Sequence, residues 1–468
     1  MQAETARSDC VLDCRVGVSS SRIGLAKGRE LVGHSERLRL PAPAVAVSVA
    51  YLTQGLYDAS CSPSWTSKMQ HSQPESKSSS SKKTLRKRVP VSLQIRDFAH
   101  LADVNLSFGD LTVLVGPQGA GKSLALQWLK IALDGRQIVD ALRAAGHPAD
   151  RPEVLVDLIF GGGMATSWHP DSTAITFGNA EITLNSIGRR GTGKERLFFV
   201  PAHRSMLISD GWAAPFQKLT SDIPVVARLF SQNLFDRFSG KDAGTLFPVD
   251  KRLKKEIRDK IDDAVFHGGK VGIEEDQQHA LRLRLVHGEM HLPFMTWTAG
   301  QREFTPLLMG LYHLLPRTTL RKRAETEWVV IEEPEMGLHP QAITAVMLLI
   351  LDLIWRGYRV VVSTHSPHVL ALLWLMKILK QHRARWQLVC QAFDVKPAPM
   401  RNVAQTALNK DYRAFLLEFD SAGKVRSVDI SDLDPSSDDE RVAGWGGLTS
   451  YSSRFADSVR AAVNESAQ

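Results

Sequence analysis

From Val91 onward, polar and apolar residues alternate through two short runs, "VSLQIRDF" and "LADVNLSF", before an unbroken apolar run, "LTVLVG" (111–116). Alternation predicts half-buried strands, and the continuous run predicts a strand buried on both faces, so this stretch reads as a hairpin leading into a central strand. A helix follows, "KSLALQWLKIALDG", with its stop expected at Gly135. Residues 153–200 read as further β-structure, including "AITFGNAEITLN" with a Gly-Asn turn. Residues 205–265 read as helical and irregular. Beyond them the pattern predicts a strand pair ("ALRLRLVHGEMHLPFM"), a helix over 301–315, a strand over 328–332, an apolar helix over 341–356 and the strand "YRVVVSTHSP". The last part, 381–468, carries one hairpin ("AFLLEFDSAGKVRSVDIS") and a polar, acidic end. Strands alternating with helices make this an α/β chain.

The residues before Val89 are different in kind. The tract "SKMQHSQPESKSSSSKKTLRKR" (67–88) has too little apolar surface to offset ordering entropy, so residues 1–88 are expected to be a disordered, basic and serine-rich segment. They hold 14 Lys and Arg against 7 Asp and Glu, which accounts for nearly all of the net charge of +8. The body is therefore almost neutral, and overall charge makes no case for nucleic acid. Four scattered cysteines build no disulfide framework and fit a reducing, cytoplasmic setting. No stretch approaches the roughly 20 apolar residues of a membrane span.

Against that background one motif is specific. "GPQGAGKS", from Gly116 to Ser123, matches G-x-x-x-x-G-K-[ST], with a strand before it and a helix after it. Gly116, Pro117, Gln118, Gly119, Ala120 and Gly121 would curl backbone N–H groups around phosphate oxygens at a helix N-terminus. Lys122 would reach the β- and γ-phosphates, and the Ser123 hydroxyl would ligate Mg2+. A second match, "GRRGTGKE" (188–195), has Glu195 where the hydroxyl belongs and no apolar strand before it, so it reads as a flexible basic loop. In "VVIEEPE" a central strand, expected beside the P-loop strand, ends on Glu332, placed to hold the metal, and Glu333, placed to polarise a water. His365 lies just past the next strand, and "WTAGQREF" (297–304) puts Thr298, Gly300 and Gln301 at a helix start.

Taken in this order, the motifs resemble the ABC class of P-loop ATPases. "TAGQ" is similar to that class's signature, "VVIEEPEMGLHP" to its Walker B strand and following loop, and "STHSP" to its switch histidine. The wording of "EEPE", "LHP" and "STHSP" is closer to the SMC/RecF/OLD branch, an AAA-type ATP-binding domain, than to membrane transporters. The resemblance covers about residues 91–375. It implies an ABC-type head with a mixed central sheet flanked by helices, an antiparallel β subdomain and a helical insertion at about 205–270. The ATPase domain is then expected over 89–380, and 381–468 becomes a small C-terminal extension with a β-hairpin and an acidic tail.

The resemblance also implies a composite site. Two chains would close head to head on ATP and Mg2+, with Lys122, Ser123, Glu332, Glu333 and His365 acting in one chain and Thr298, Gly300 and Gln301 in its partner. Glu332 stands in place of the usual aspartate, and Gln118 in place of a frequent asparagine. No Q-loop glutamine can be placed; "FFVPAHRS" (198–205) occupies about its position, with Arg204 as the group for metal or phosphate coupling. No long coiled coil interrupts the domain. Glu418, Asp432 and Asp434 supply carboxylates, but the segment holding them is too short for the nuclease domain that OLD proteins carry. The expected role is an ATPase that switches a protein effector or DNA, as in genome maintenance or anti-phage defence. The alternatives are a RecF-like DNA-binding ATPase, supported by "PRTTLRKR" (316–323) and "KQHRAR" (380–385), and a transporter's nucleotide-binding subunit.

Overall fold

The alternating runs form β1 (Val91–Phe98) and β2 (Leu101–Phe108), antiparallel from Val91↔Phe108 to Phe98↔Leu101. The computed structural model describes residues 91–239, 244–249, 252–316 and 322–466. The N-terminal segment expected to be disordered, and most of the basic run at 316–323, lie outside the described residues. The continuous apolar run is β3 (Leu111–Val115), buried at every position. Helix α1 (Lys122–Ala144) passes through the expected stop at Gly135. That glycine serves a close approach instead: a Cβ there would collide with the Ile187 carbonyl oxygen. The break in the helix is a kink at Asp134 (φ −132°, ψ 24°).

Residues 153–200, expected to be β-structure, begin with helix α2 (Pro152–Phe160), which has proline in its first turn. The Gly-Asn turn then joins β4 (Ala174–Phe177) to β5 (Ala180–Glu181), and β6 (Leu197–Val200) follows. The region expected to be a helical insertion is mixed. It holds the ribbon β7 (Ile208–Ser209) and β8 (Trp212–Ala213), helix α3 (Val225–Phe238), β9 (Gly244–Phe247) and helix α4 (Lys255–Ile261). β9 joins β10 (Lys270–Glu275), β11 (Leu281–His287) and β12 (Met290–Pro293) in one antiparallel sheet, ordered β12-β11-β10-β9.

Next come α5 (Ala299–Leu314), β13 (Trp328–Glu332), α6 (Pro340–Arg356), β14 (Arg359–Ser363) and α7 (Pro367–Gln381), in the predicted order. Two short helices, α8 (Gln387–Ala392) and α9 (Pro397–Ala407), lead to the hairpin β15 (Tyr412–Phe419) and β16 (Val425–Asp429). The chain ends in α10 (Glu440–Ala443) and α11 (Ser450–Ser466).

Ten strands form the main sheet, in the order β5-β4-β1-β2-β16-β15-β3-β14-β13-β6. The five from β15 to β6 are mutually parallel. Side chains alternate between two cores: Val113, Val329, Ile331, Val360 and Val362 face α5, α6 and α7, whereas Leu114, Trp328, Val330 and Val361 face α1 and α2. Burial on both faces explains why these strands are continuously apolar.

Two features of the sheet differ from the sequence reading. The C-terminal hairpin, expected in an extension after residue 380, fills the middle of the sheet between β2 and β3. β3 is buried throughout and needs hydrogen-bonding partners on both edges, and β15 supplies one edge in register from Tyr412↔Leu111 to Leu416↔Val115. The carboxylate strand β13 was also expected directly beside the P-loop strand. β14 lies between them instead, because the other edge of β13 is taken by β6.

Candidate functional site

The loop after β3 turns on glycines, with φ of 143° at Gly116 and 76° at both Gly119 and Gly121. Pro117, Gln118 and Gly119 form an exposed rim, and Ala120 is buried beneath it. The Lys122 ammonium folds back into the loop and donates to the carbonyls of Gly116 (2.9 Å) and Pro117 (3.0 Å). Burial pushes its pKa down, and Glu333, Glu335 and Glu332 push it back up, so three carboxylates converge on this lysine.

Those carboxylates follow from the sheet register. Glu332 pairs with Ser363 on β14, and Ser363 pairs with Leu114 on β3, so the carboxylate strand, the histidine strand and the P-loop strand end together. Glu332 is only 5% exposed. Its Oε2 accepts from Ala202 N–H (3.2 Å), while its buried Oε1 has no hydrogen-bond partner. Burial raises its pKa; the Ser123 hydroxyl and the Ala202 N–H lower it, Glu333 raises it and Arg204 lowers it. A buried carboxylate oxygen without a donor, beside a serine hydroxyl, fits a divalent cation bound by Ser123 and Glu332.

Glu333 has a positive φ of 41°, a conformation costly for a non-glycine residue, and its N–H donates to the Ser363 carbonyl (2.9 Å). Its Oε1 lies 3.7 Å from His365 Nε2. Burial lowers the His365 pKa, Lys122 lowers it further, and Glu333 and Glu335 oppose them. The sequence reading assigned nothing to Glu335. Its Oε1 accepts from the Thr364 hydroxyl (2.6 Å) and the His365 N–H (2.7 Å), pinning the histidine turn to the carboxylate turn. The signal available in the sequence was a third glutamate in the turn immediately behind the pair.

Lys122, Ser123, Glu332, Glu333 and His365 are thus brought together, and Thr298, Gly300 and Gln301 are not. These three lie at the solvent-facing start of α5 and, among the described residues, share no hydrogen bond with that cluster. Thr298 and Gln301 form a reciprocal capping box: Gln301 N–H donates to Thr298 Oγ1 (3.3 Å), and Thr298 N–H to Gln301 Oε1 (3.2 Å). Gly300 packs against the loop after β13, where an added Cβ would lie 2.7 Å from the Gly337 carbonyl oxygen.

Arg204, expected to couple to metal or phosphate, is turned inward. It is 1% exposed, and its guanidinium serves backbone carbonyls, among them Glu332 (2.8 Å) and Glu333 (3.3 Å). The "GRRGTGKE" stretch is a loop, but its last residue is anchored, with Glu195 Oε1 lying 3.2 Å from buried Lys130. The three C-terminal carboxylates are scattered: Glu418 pairs with Arg441, Asp432 with Lys377, and Asp434 caps Ser436. Among the described residues, no helix is long and apolar enough to cross a membrane.

A P-loop strand, a histidine strand and a carboxylate strand that end together in one mixed sheet, with a capped helix start leading from a separate antiparallel sheet, give the chain an α/β P-loop fold. The comparisons show what this chain is similar to. Residues 216–371 match the family described as "AAA domain, putative AbiEii toxin, Type IV TA system". The chain is similar to the Old nuclease of Escherichia phage P2, at 26% identity over 144 residues, which cover 31% of this chain and 23% of that protein. It therefore spans about a quarter of the length of that curated relative. Among solved structures it is similar to the SMC head domain from Thermotoga maritima, at 12% identity over 73% of this chain and 98% of that one, with a TM-score of 0.32. It is also similar to a dimeric bacterial ABC transporter cassette, at 13% identity over 72% and 98% of the two chains, with a TM-score of 0.30.

Proposed function

We propose that this chain binds ATP with Mg2+, closes head to head with a second copy, and hydrolyses the nucleotide to switch a protein effector or DNA. The observation that carries the reading is the convergence of Lys122, Ser123, Glu332, Glu333 and His365 at the ends of three adjacent parallel strands. The P-loop N–H groups and the N-terminus of α1 bind the phosphates. Lys122 exchanges the Gly116 and Pro117 carbonyls for phosphate oxygens. Ser123 and Glu332 would hold the cation, which would supply neutralisation of phosphate charge. Glu333 orients a water and takes its proton, and His365, kept neutral by burial and by Lys122, positions the Glu333 carboxylate.

The partner's α5 is read as completing the site. Thr298, Gly300 and Gln301 stand at an exposed helix start, where the helix dipole favours an anion. In the single chain the Thr298 and Gln301 side chains are held by the capping box, so this helix start is already formed before a partner arrives.

Glu333→Gln separates binding from turnover. The variant should bind ATP with affinity within about twofold of the natural chain, lose about 10²–10⁴-fold in hydrolysis, and accumulate as an ATP-dependent dimer in size-exclusion chromatography. Normal hydrolysis by this variant would remove Glu333 from the mechanism, and a monomer at saturating ATP would remove the head-to-head step.

A further inference from the structure

Glu332 and Ser363 stand where β13 and β14 finish, at the P-loop end of the sheet; Trp328 and Arg359 stand where the same strands begin. The two ends lie about 13 Å apart along β13. At the starting end is a cavity of about 400 Å3, into which Arg196, Lys322 and Glu327 bring charge beside Trp328 and Arg359. That volume falls within the roughly 300–1,000 Å3 of small-molecule sites.

The sheet fixes how these side chains meet. Arg196 comes just before β6 and Glu327 just before β13. The Arg196 carbonyl accepts from the N–H groups of Glu327 (2.8 Å) and Trp328 (3.0 Å), and the Glu327 carbonyl accepts from the Arg359 N–H (2.9 Å). The Arg196 N–H is held in turn by Asp134 Oδ1 at 3.0 Å. The Trp328 indole meets Phe108 edge-on with centroids 5.4 Å apart, and the Arg359 guanidinium lies 5.0 Å from the indole centroid. Arg359 is only 9% exposed. Arg196 Nη2 donates to Glu327 Oε2 at 3.1 Å.

The lining carries three cations against one carboxylate, a net charge of +2 in one small cavity. Like charges gathered beside low-dielectric walls repel one another, and an anion relieves that repulsion. Leu133 and Phe177 add an apolar wall, and apolar surface with a few convergent charges suits an organic ligand better than a bare ion. A phosphate monoester brings close to two negative charges at neutral pH and accepts paired hydrogen bonds from a guanidinium. A carboxylate brings only one charge. We propose that this cavity binds a small aromatic phosphate monoester, the class to which nucleoside monophosphates belong, with its phosphate on Arg359, Arg196 and Lys322 and its ring against Leu133 and Phe177. Glu327 opposes the ligand, because it competes with the phosphate for Arg196. The site is distinct from the P-loop and does not depend on the ATP reading.

Isothermal titration calorimetry of the full chain with 1-naphthyl phosphate tests the site, with inorganic phosphate, 1-naphthol and 1-naphthoate titrated in parallel. The monoester should bind about tenfold more tightly than any of the other three, because only it offers both the ring and the double charge. Arg359→Met, which keeps an unbranched apolar side chain over Trp328, should weaken it by about tenfold. Glu327→Gln removes the one opposing carboxylate from an exposed position and should tighten binding by about threefold, a gain that misfolding does not imitate. Lys122→Ala, at the far end of the sheet, should leave the affinity within about twofold. No binding of the monoester, an affinity that survives Arg359→Met, or one that Glu327→Gln fails to raise overturns the site. Loss of binding in Lys122→Ala would put the probe in the P-loop and overturn it equally. Naphthoate or inorganic phosphate binding as tightly as the monoester overturns the assignment of the ligand class.

Discussion

His313, in the last turn of α5, shows how far a tertiary environment can move one side chain. Burial first, then Arg237, Arg323 and Lys130, push its pKa down to about 2. Its Nε2 lies 3.3 Å from Arg237 Nη2 and 3.8 Å from Glu195 Oε2, and its Nδ1 is buried without a partner. The unfolded chain takes up a proton near pH 6.5 that the folded chain refuses. Stability from this group is thus fully present above pH 6.5 and is lost as pH falls below it, by about 1.4 kcal/mol per unit. Calorimetric Tm should fall between pH 6.5 and 5, and His313→Gln should flatten that limb; an unchanged slope in the variant would locate the acid sensitivity elsewhere. Nothing in the local sequence singles out this histidine, because the groups that surround it come from α1, α3 and the 323 region. His365 was legible for the opposite reason: it sits at a strand end within a recognisable run.

At the scale of elements, α1 carries a second feature hidden from periodicity. Buried Lys130 donates to Asp134 Oδ2 (2.8 Å), Gln137 Oε1 (3.2 Å) and Glu195 Oε1 (3.2 Å), and also to the Leu197 carbonyl. Asp134 in turn accepts from the N–H groups of Arg196 (3.0 Å) and Leu197 (2.9 Å), which ties the kink in α1 to the start of β6. In sequence, Asp134 and Gly135 resemble a polar helix end. In the fold they are the point where a strand docks. Asp134→Asn leaves an inadequately paired buried ammonium, so it should cost about 3–5 kcal/mol and lower the urea midpoint accordingly. A loss within about 0.5 kcal/mol would show the network to be solvated rather than buried. The motif-bearing elements β3, β13 and β14 were read correctly because each is continuously apolar and bounded by a turn. Helix α2 and strand β9 were misread because they are short, and short apolar runs do not distinguish helix from strand.

At the scale of the molecule, residues 381–468 were expected to be an extension, yet β15 and β16 join the antiparallel and parallel halves of the main sheet. Ending the chain after Ala407 would strip partners from β2 and β3, and we expect no cooperative unfolding transition from such a protein. Ending it after Thr449 removes only α11, which is exposed along nearly its whole length. That shorter chain should keep its Tm within about 3 °C. Parallel denaturation curves of the two truncations check the point: a stable, cooperative product from the first would mean that the hairpin is dispensable.

The sequence alone marked the loop from Gly116 to Ser123, the paired glutamates and the histidine as candidate site residues, because each is a contiguous motif whose meaning depends on a few neighbours. It also determined an α/β chain, because strand and helix periods are local. Only the tertiary structure decided strand order, the insertion of a hairpin from some 300 residues downstream beside β3, and the inward turn of Arg204. It also decided the role of Glu335 as the anchor of the histidine turn. The physical reason is common to all of these. A buried hydrogen-bonding edge or a buried charge must find a partner, and which partner it finds is set by packing between distant segments, which local patterns of polarity do not record.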